Sequence, residues 1–187
     1  MTRGMKGWMT TAMLLASWLL EPCAGAALAQ VASGGTGGSA REIARHGAWV
    51  VTAATQAGQL ICFAATQPKS SQPAEPQREQ AYVYISAWPG DGVKAEVSVA
   101  SGFAPRKGST VTLTVGTSNF VLFTAGDRAF VADPTTELKL IDAMKKGASM
   151  QVKTVPERGM LVTDTYSLAG LAPTLAALTQ GCSGQVR

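Results

Sequence analysis

The segment TVTLTVG, residues 110–116, sets Val111, Leu113 and Val115 on one side of an extended chain and Thr110, Thr112 and Thr114 on the other. A period of two marks a strand with one face in a core and one in water. Similar short runs fill most of the chain. Trp49-Val50-Val51 and Leu60-Ile61-Cys62-Phe63 flank a TQAG turn, and NFVLFT and AFVA follow the turns GTSN and AGDR. AYVYISAW, SMQVKTV and MLVTDTY complete the set. About nine strands joined by hairpin-type turns predict an antiparallel β-sandwich, because a βαβ fold needs a helix between successive strands.

Two helices interrupt the pattern. Asp133-Pro134 supplies an N-cap with proline at the first helical position. TTELKLIDAMKK then carries Leu138, Ile141 and Met144 at helical spacing, and Gly147 stops it after Lys145 and Lys146. A second helix is expected over residues 171–179, delivering Cys182 just beyond its end. Both should cover an end or an edge of the sandwich.

The first 29 residues read as a signal peptide. Arg3 and Lys6 precede an uncharged, mostly apolar run from Trp8 to Leu20. A bilayer-spanning helix needs about 20 such residues, so this run is too short. Ala27-Leu28-Ala29 offers a cleavage site before Gln30, with Ala24-Gly25-Ala26 as the alternative. Cys23 raises the possibility of a lipoprotein, against which Pro22 stands in the position where such sites want a small residue. Removing Arg3, Lys6 and Glu21 from the 16 basic and 12 acidic residues leaves 14 and 11, a formal net charge of +3. The basic residues are scattered, with no nucleic-acid stripe. Residues 30–45 read as a flexible linker, Gly- and Ser-rich at its start, and residues 46–187 as one domain. No transmembrane segment is expected after cleavage. The loop QPKSSQPAEPQRE (67–79) should be exposed.

After cleavage Cys62 and Cys182 remain, an even count in an oxidising compartment, which points to a disulfide. The competing reading, a metal pair, is short of ligands, since two cysteines and the single His46 do not fill a four-coordinate site. No cofactor is expected.

RGMLVTDTYSLAG (158–170) gathers Arg158, Gly159, Asp164, Tyr166, Ser167, Leu168 and Gly170. A catalytic reading takes Ser167 as nucleophile with Lys153 or Lys139, or pairs Asp164 with Glu157, in an envelope hydrolase. Ser167 lacks the G-x-S-x-G elbow, no S-x-x-K spacing appears, and the two carboxylates are seven positions apart. The structural reading takes the segment as a joint between strand and helix. Met160, Val162 and Asp164 share one strand face, Asp164 accepts from backbone amides, and Ser167 caps a turn. Tyr166 packs at the corner with its phenol tip partnered, and Gly170 supplies an unusual backbone angle. Arg78 or Arg158 would pair with Asp164 or Glu157, the alternative being an anion site. In AYVYISAW, Tyr82, Tyr84 and Ser86 share a face, and Tyr82, Tyr84 and Trp88 form a candidate partner surface if exposed.

These pieces, in this order, resemble the invasion-associated locus B family of α-proteobacteria. The resemblance is carried by GAWVV, ICFAATQP, REQAYVYISAWP, Gly102-Phe103, LIDAMKKGASMQVK, RGMLVTDTYSLAGL and the closing Cys182. Two positions depart from the family pattern: Phe130 stands where a Trp is expected, and Leu171 where an aromatic residue is common. The resemblance implies an immunoglobulin-like β-sandwich, exported to the periplasm, associated with the outer membrane or secreted. It implies no enzymatic activity and no catalytic residues. The expected function is non-enzymatic binding of an envelope or host protein or surface component.

Overall fold

The computed structural model describes residues 40–74 and 78–183. The proposed signal peptide, the linker up to residue 39 and residues 184–187 lie outside them. Eleven strands run β1 Ala40–His46, β2 Trp49–Gln56, β3 Gln59–Thr66, β4 Ser70–Gln72, β5 Tyr82–Trp88 and β6 Val93–Ala100. They continue as β7 Thr110–Val115, β8 Ser118–Ala125, β9 Arg128–Phe130, β10 Ser149–Thr154 and β11 Val162–Ser167. Helix α1, Pro134–Lys146, separates β9 from β10, and α2, Leu171–Ser183, follows β11.

All strand pairings are antiparallel, in the order β1-β2-β3-β5-β6-β9-β8-β7-β10-β11-β4. One continuous ladder folds over on itself. Trp49 on β2, near one end of that order, donates from Nε1 to the Ser167 carbonyl on β11, near the other, at 3.1 Å. Inward residues of both halves meet in a single core: Trp49, Val51, Val83, Ile85, Val97 and Val99 on one side, Val111, Leu113, Leu122, Met150, Val152 and Tyr166 on the other. The architecture is the expected mainly β sandwich.

The helices close gaps that the strands leave. β9 is only three residues long, and α1 packs against β6 and β8 on either side of it in the ladder, inserting Leu140, Ile141 and Met144. Its start is as expected, with Asp133 Oδ1 accepting from the Thr136 amide at 2.9 Å. Leu138, however, is 68% exposed. At one turn per 3.6 residues it lies about 110° from the centre of the buried stripe, and Leu140 takes its place. α2 lies against β1, β2 and β3 and adds Leu171, Leu178 and Cys182 to the core. It runs past the expected stop at Thr179, so Cys182 sits in its last turn.

Three strands lie beyond those read from the sequence. β6 alternates Val93, Ala95, Val97 and Val99 with Lys94, Glu96, Ser98 and Ala100, and its small and charged members dilute the signal. β4 is a three-residue edge inside the proline-rich loop, paired with β11. β1 replaces the C-terminal part of the expected linker. It is an edge strand that pairs with β2 through its backbone, so it needs no apolar alternation of its own, and Arg41, Glu42 and Arg45 keep the edge charged. Ile43 anchors it against Gly181 of α2, where a Cβ would collide with Ile43 Cδ1.

Candidate functional site

β11 buries every second residue: Val162, Asp164 and Tyr166, with Leu168 just beyond. The strand begins only at Val162, so Met160 stands in the preceding loop, 71% exposed, rather than on the strand face. Asp164 is 2% exposed, and its partner is a guanidinium rather than backbone amides. Arg78 Nη1 and Nη2 donate to Oδ2 and Oδ1 at 3.0 and 2.7 Å. The same guanidinium donates to Ser71 Oγ at 2.6 Å and the Ser101 carbonyl at 3.3 Å, and lies over the Phe103 ring at 5.8 Å. It therefore ties β11 to β4 and to the chain leaving β6. Arg158 and Glu157, the alternative partners, are exposed in the 155–161 loop.

The remaining residues form the joint. Ser167 Oγ accepts from the Ala169 amide at 3.3 Å, and the Leu168 amide donates to the Ala148 carbonyl at 3.0 Å. Gly170 has φ +87°, and a Cβ on it would stand 2.5 Å from the His46 carbonyl oxygen. Tyr166 is fully buried, yet its hydroxyl has no hydrogen-bond partner among the described residues, contrary to expectation. Burial, and then the Asp164 charge, push its ionisation far above the usual phenol range against the pull of Arg78.

Neither catalytic pairing is assembled by this geometry. Ser149 faces Ser167 across the β10–β11 ladder while Lys153 faces Thr163, so Lys153 is four positions, about 13 Å, along the sheet from Ser167. Lys139 is exposed on α1. Both oxygens of Asp164 are bonded to Arg78, and Glu157 stands in solvent. No group of three or more His, Cys, Asp or Glu able to hold a metal occurs among the described residues. Cys62 and Cys182 form a disulfide with their Cα atoms 5.8 Å apart.

The second candidate site is the outer face of the sheet. Directly paired residues share a face, and the registers define one row: Val50, Ala65, Tyr84, Ser98, Phe130, Phe123 and Thr110 on seven successive strands. In the adjacent row Tyr82 faces Ala100, and Ala100 faces Arg128. The rings pack along this line. Phe63 meets Tyr84 edge-on at 6.0 Å between centroids, Tyr82 and Tyr84 are 5.4 Å apart, and Phe123 and Phe130 are 5.9 Å apart. The Arg128 guanidinium, two positions before Phe130 on β9, lies 4.8 Å from the Tyr84 ring centre. Gln67 Nε2 donates to the Tyr82 hydroxyl at 2.9 Å. Tyr82 and Tyr84 are half-buried, and Phe123 is 46% exposed.

Electrostatics are modest here. Burial raises the Tyr84 pKa, offset by Arg128, and burial likewise raises that of Glu96, with Arg128 opposing. Trp88 is half-buried at the far end of β5, beyond a bulge, and makes no ring contact with the two tyrosines. Sequence reasoning grouped the two tyrosines with Trp88, whereas the rings they pack with belong to the Phe63, Tyr82 and Tyr84 group. It missed Phe63, Phe123, Arg128 and Phe130, whose membership depends on the β6–β9 and β8–β9 registers. The strand parity of NFVLFT was the one available signal, since it sets Val121 and Phe123 on the side opposite Leu122.

No helix among the described residues is long and apolar enough to cross a membrane. No curated protein matches the chain. Among solved structures it is similar to the crystal structure of invasion associated protein B from Bartonella henselae, with a TM-score of 0.52 at 16% identity. That likeness covers 75% of this chain and 96% of the other. The family described as Invasion associated locus B (IalB) protein matches residues 49–179, most of the described structure, and the chain belongs to that family.

Proposed function

We propose that this IalB-family protein is exported to the cell envelope and binds an envelope or host protein or surface component without catalysing a reaction. The observation that carries the reading is the row from Phe123 through Phe130, Arg128 and Tyr84 to Phe63, standing among the small residues Ala65, Ser98 and Ala100. Binding hot spots concentrate Tyr, Trp and Arg in clusters that a partner can desolvate, and a pre-packed row loses little side-chain freedom on binding. Export is supported by the Arg3/Lys6-led apolar run and by the Cys62–Cys182 disulfide, which fits an oxidising compartment.

The test is site-directed photo-crosslinking. A photoreactive phenylalanine analogue replaces Phe123 or Tyr82 in the living cell, and the envelope fraction is irradiated. One discrete adduct at both positions, absent when the analogue replaces exposed Lys139 and lost on Arg128→Ala, is the expected result. No adduct, or the same adducts from Lys139, refutes the face as a binding surface.

A further inference from the structure

The strands end, on one side of the sandwich, in two loops that are zipped together. The Arg106 amide donates to the Val155 carbonyl at 2.8 Å, the Glu157 amide donates to the Ala104 carbonyl at 2.9 Å, and Pro105 and Pro156 form an isolated β-bridge between them. This pairing holds residues 104–108 beside the 155–161 loop. Met160 is 71% exposed and Leu161 47% exposed at its C-terminal arm, and Arg106, Lys107 and Arg158 are exposed on the same two paired loops. Glu157 is the one acidic residue in the two loops. None of these groups is used by the aromatic face or by the Arg78–Asp164 joint.

We propose that this end of the sandwich docks on an anionic phospholipid bilayer. Met160 and Leu161 enter the boundary between headgroups and acyl chains, while Arg106, Lys107 and Arg158 contact headgroup phosphates. Two large apolar side chains, adjacent in the chain and both held in water on an exposed loop, suit a deformable interface that can take them up together. A collar of three cations matches the surface charge of anionic lipid, and the two contributions reinforce one another. Neither alone holds a protein at a membrane; together they give reversible attachment. Docking goes beyond the partner-binding reading and stands on different residues, so either holds if the other fails.

The test is co-sedimentation of the full chain, purified from the envelope, with vesicles of phosphatidylcholine alone or mixed with phosphatidylglycerol. The expected result is binding to the mixed vesicles that falls with added salt, since exposed charges are screened. Met160→Ser with Leu161→Ser should weaken it by roughly tenfold, and Arg106→Ala with Lys107→Ala should abolish the preference for phosphatidylglycerol. All four side chains are exposed, so the thermal midpoint should stay unchanged and serves as the control for folding. Equal binding of variants and parent, as an acyl chain on Cys23 would give, overturns the proposal. So does failure of the folded parent to bind mixed vesicles. Full displacement of the parent by soluble glycerol phosphate also overturns it, because the loops would then hold a free phosphate and not a bilayer.

Discussion

Arg78 grips Asp164 with both terminal nitrogens of its guanidinium, at 2.7 and 3.0 Å, and the two residues are 86 positions apart in the chain. Both side chains are withdrawn from water, the carboxylate almost completely. The pair joins the loop that leads into β5 to the penultimate strand of the ladder, and Ser71 and the Ser101 carbonyl take up further guanidinium donors. Satisfying the charge and its donors together is what makes burial tolerable.

Breaking the pair from one side should be severe. Arg78→Met leaves a buried carboxylate uncompensated and is expected to destabilise the fold by about 3–5 kcal/mol. Replacing both, Arg78→Met with Asp164→Leu, should recover most of that loss, since an apolar pair of similar volume is often neutral. Urea unfolding of the two variants checks this. A double variant as unstable as the single one would show that the neighbouring polar contacts, and not the buried charge, set the cost.

The disulfide closes a loop with a sequence separation of 120 residues, tying the last turn of α2 to β3. For a loop of that size chain entropy gives about 4–5 kcal/mol of stabilisation, the upper part of the measured range. Cys62→Ala with Cys182→Ala should therefore lower the unfolding free energy by several kcal/mol, and reductant should do the same to the parent. Thermal melts with and without reductant measure both, and reductant should leave the double variant unaffected.

What could be read from the sequence follows from which signals are local. β7 announces itself because large apolar and hydroxyl side chains alternate without interruption, and Asp133-Pro134 marks the start of α1 because capping is settled within four residues. β1 has no such signal, since an edge strand is held by the backbone of its neighbour. Parity correctly placed Tyr82 and Tyr84 on one face. It does not tell that Arg128 arrives over Tyr84, because that depends on Ala100 facing Arg128 across a pairing of strands distant in the chain. Asp164 was singled out, and Arg78 named as one possible partner, yet Arg158 was as good a candidate until the loop of 155–161 turned outward.

The β2–β3 hairpin turns through Ala57 and Gly58, both with positive φ, at +48° and +81°. Two successive residues in that region are characteristic of a type I′ turn, whose first central position prefers Asn, Asp or Gly. Alanine pays a steric penalty of about 1–2 kcal/mol in the left-handed region. Ala57 is exposed, so nothing is lost by changing it. Ala57→Asn should stabilise the protein by about 1 kcal/mol, raising the midpoint of urea unfolding without altering its slope. An unchanged midpoint would show that the strands impose the turn at no measurable strain.

Glu137, in the first turn of α1, reaches across to accept the Val97 amide of β6, beside the part of that strand that β9 does not cover. Its pKa is raised, first by burial, against the lowering effect of that hydrogen bond, with Glu96 and Asp133 adding repulsion. A carboxyl whose folded pKa exceeds its unfolded one binds its proton more readily in the native state. Its contribution is then favourable at low pH and is lost as pH rises from the unfolded to the folded value. Above that window the penalty is complete and constant. Glu137→Gln keeps an oxygen acceptor for Val97 and removes the charge, so it should stabilise the protein at neutral pH by less than about 1 kcal/mol, the group being half in water. The difference between variant and parent should shrink as pH falls through the window just above the ordinary glutamate pKa. Paired unfolding curves across the acid range test the sign, and a variant that becomes relatively more stable as pH falls would refute it.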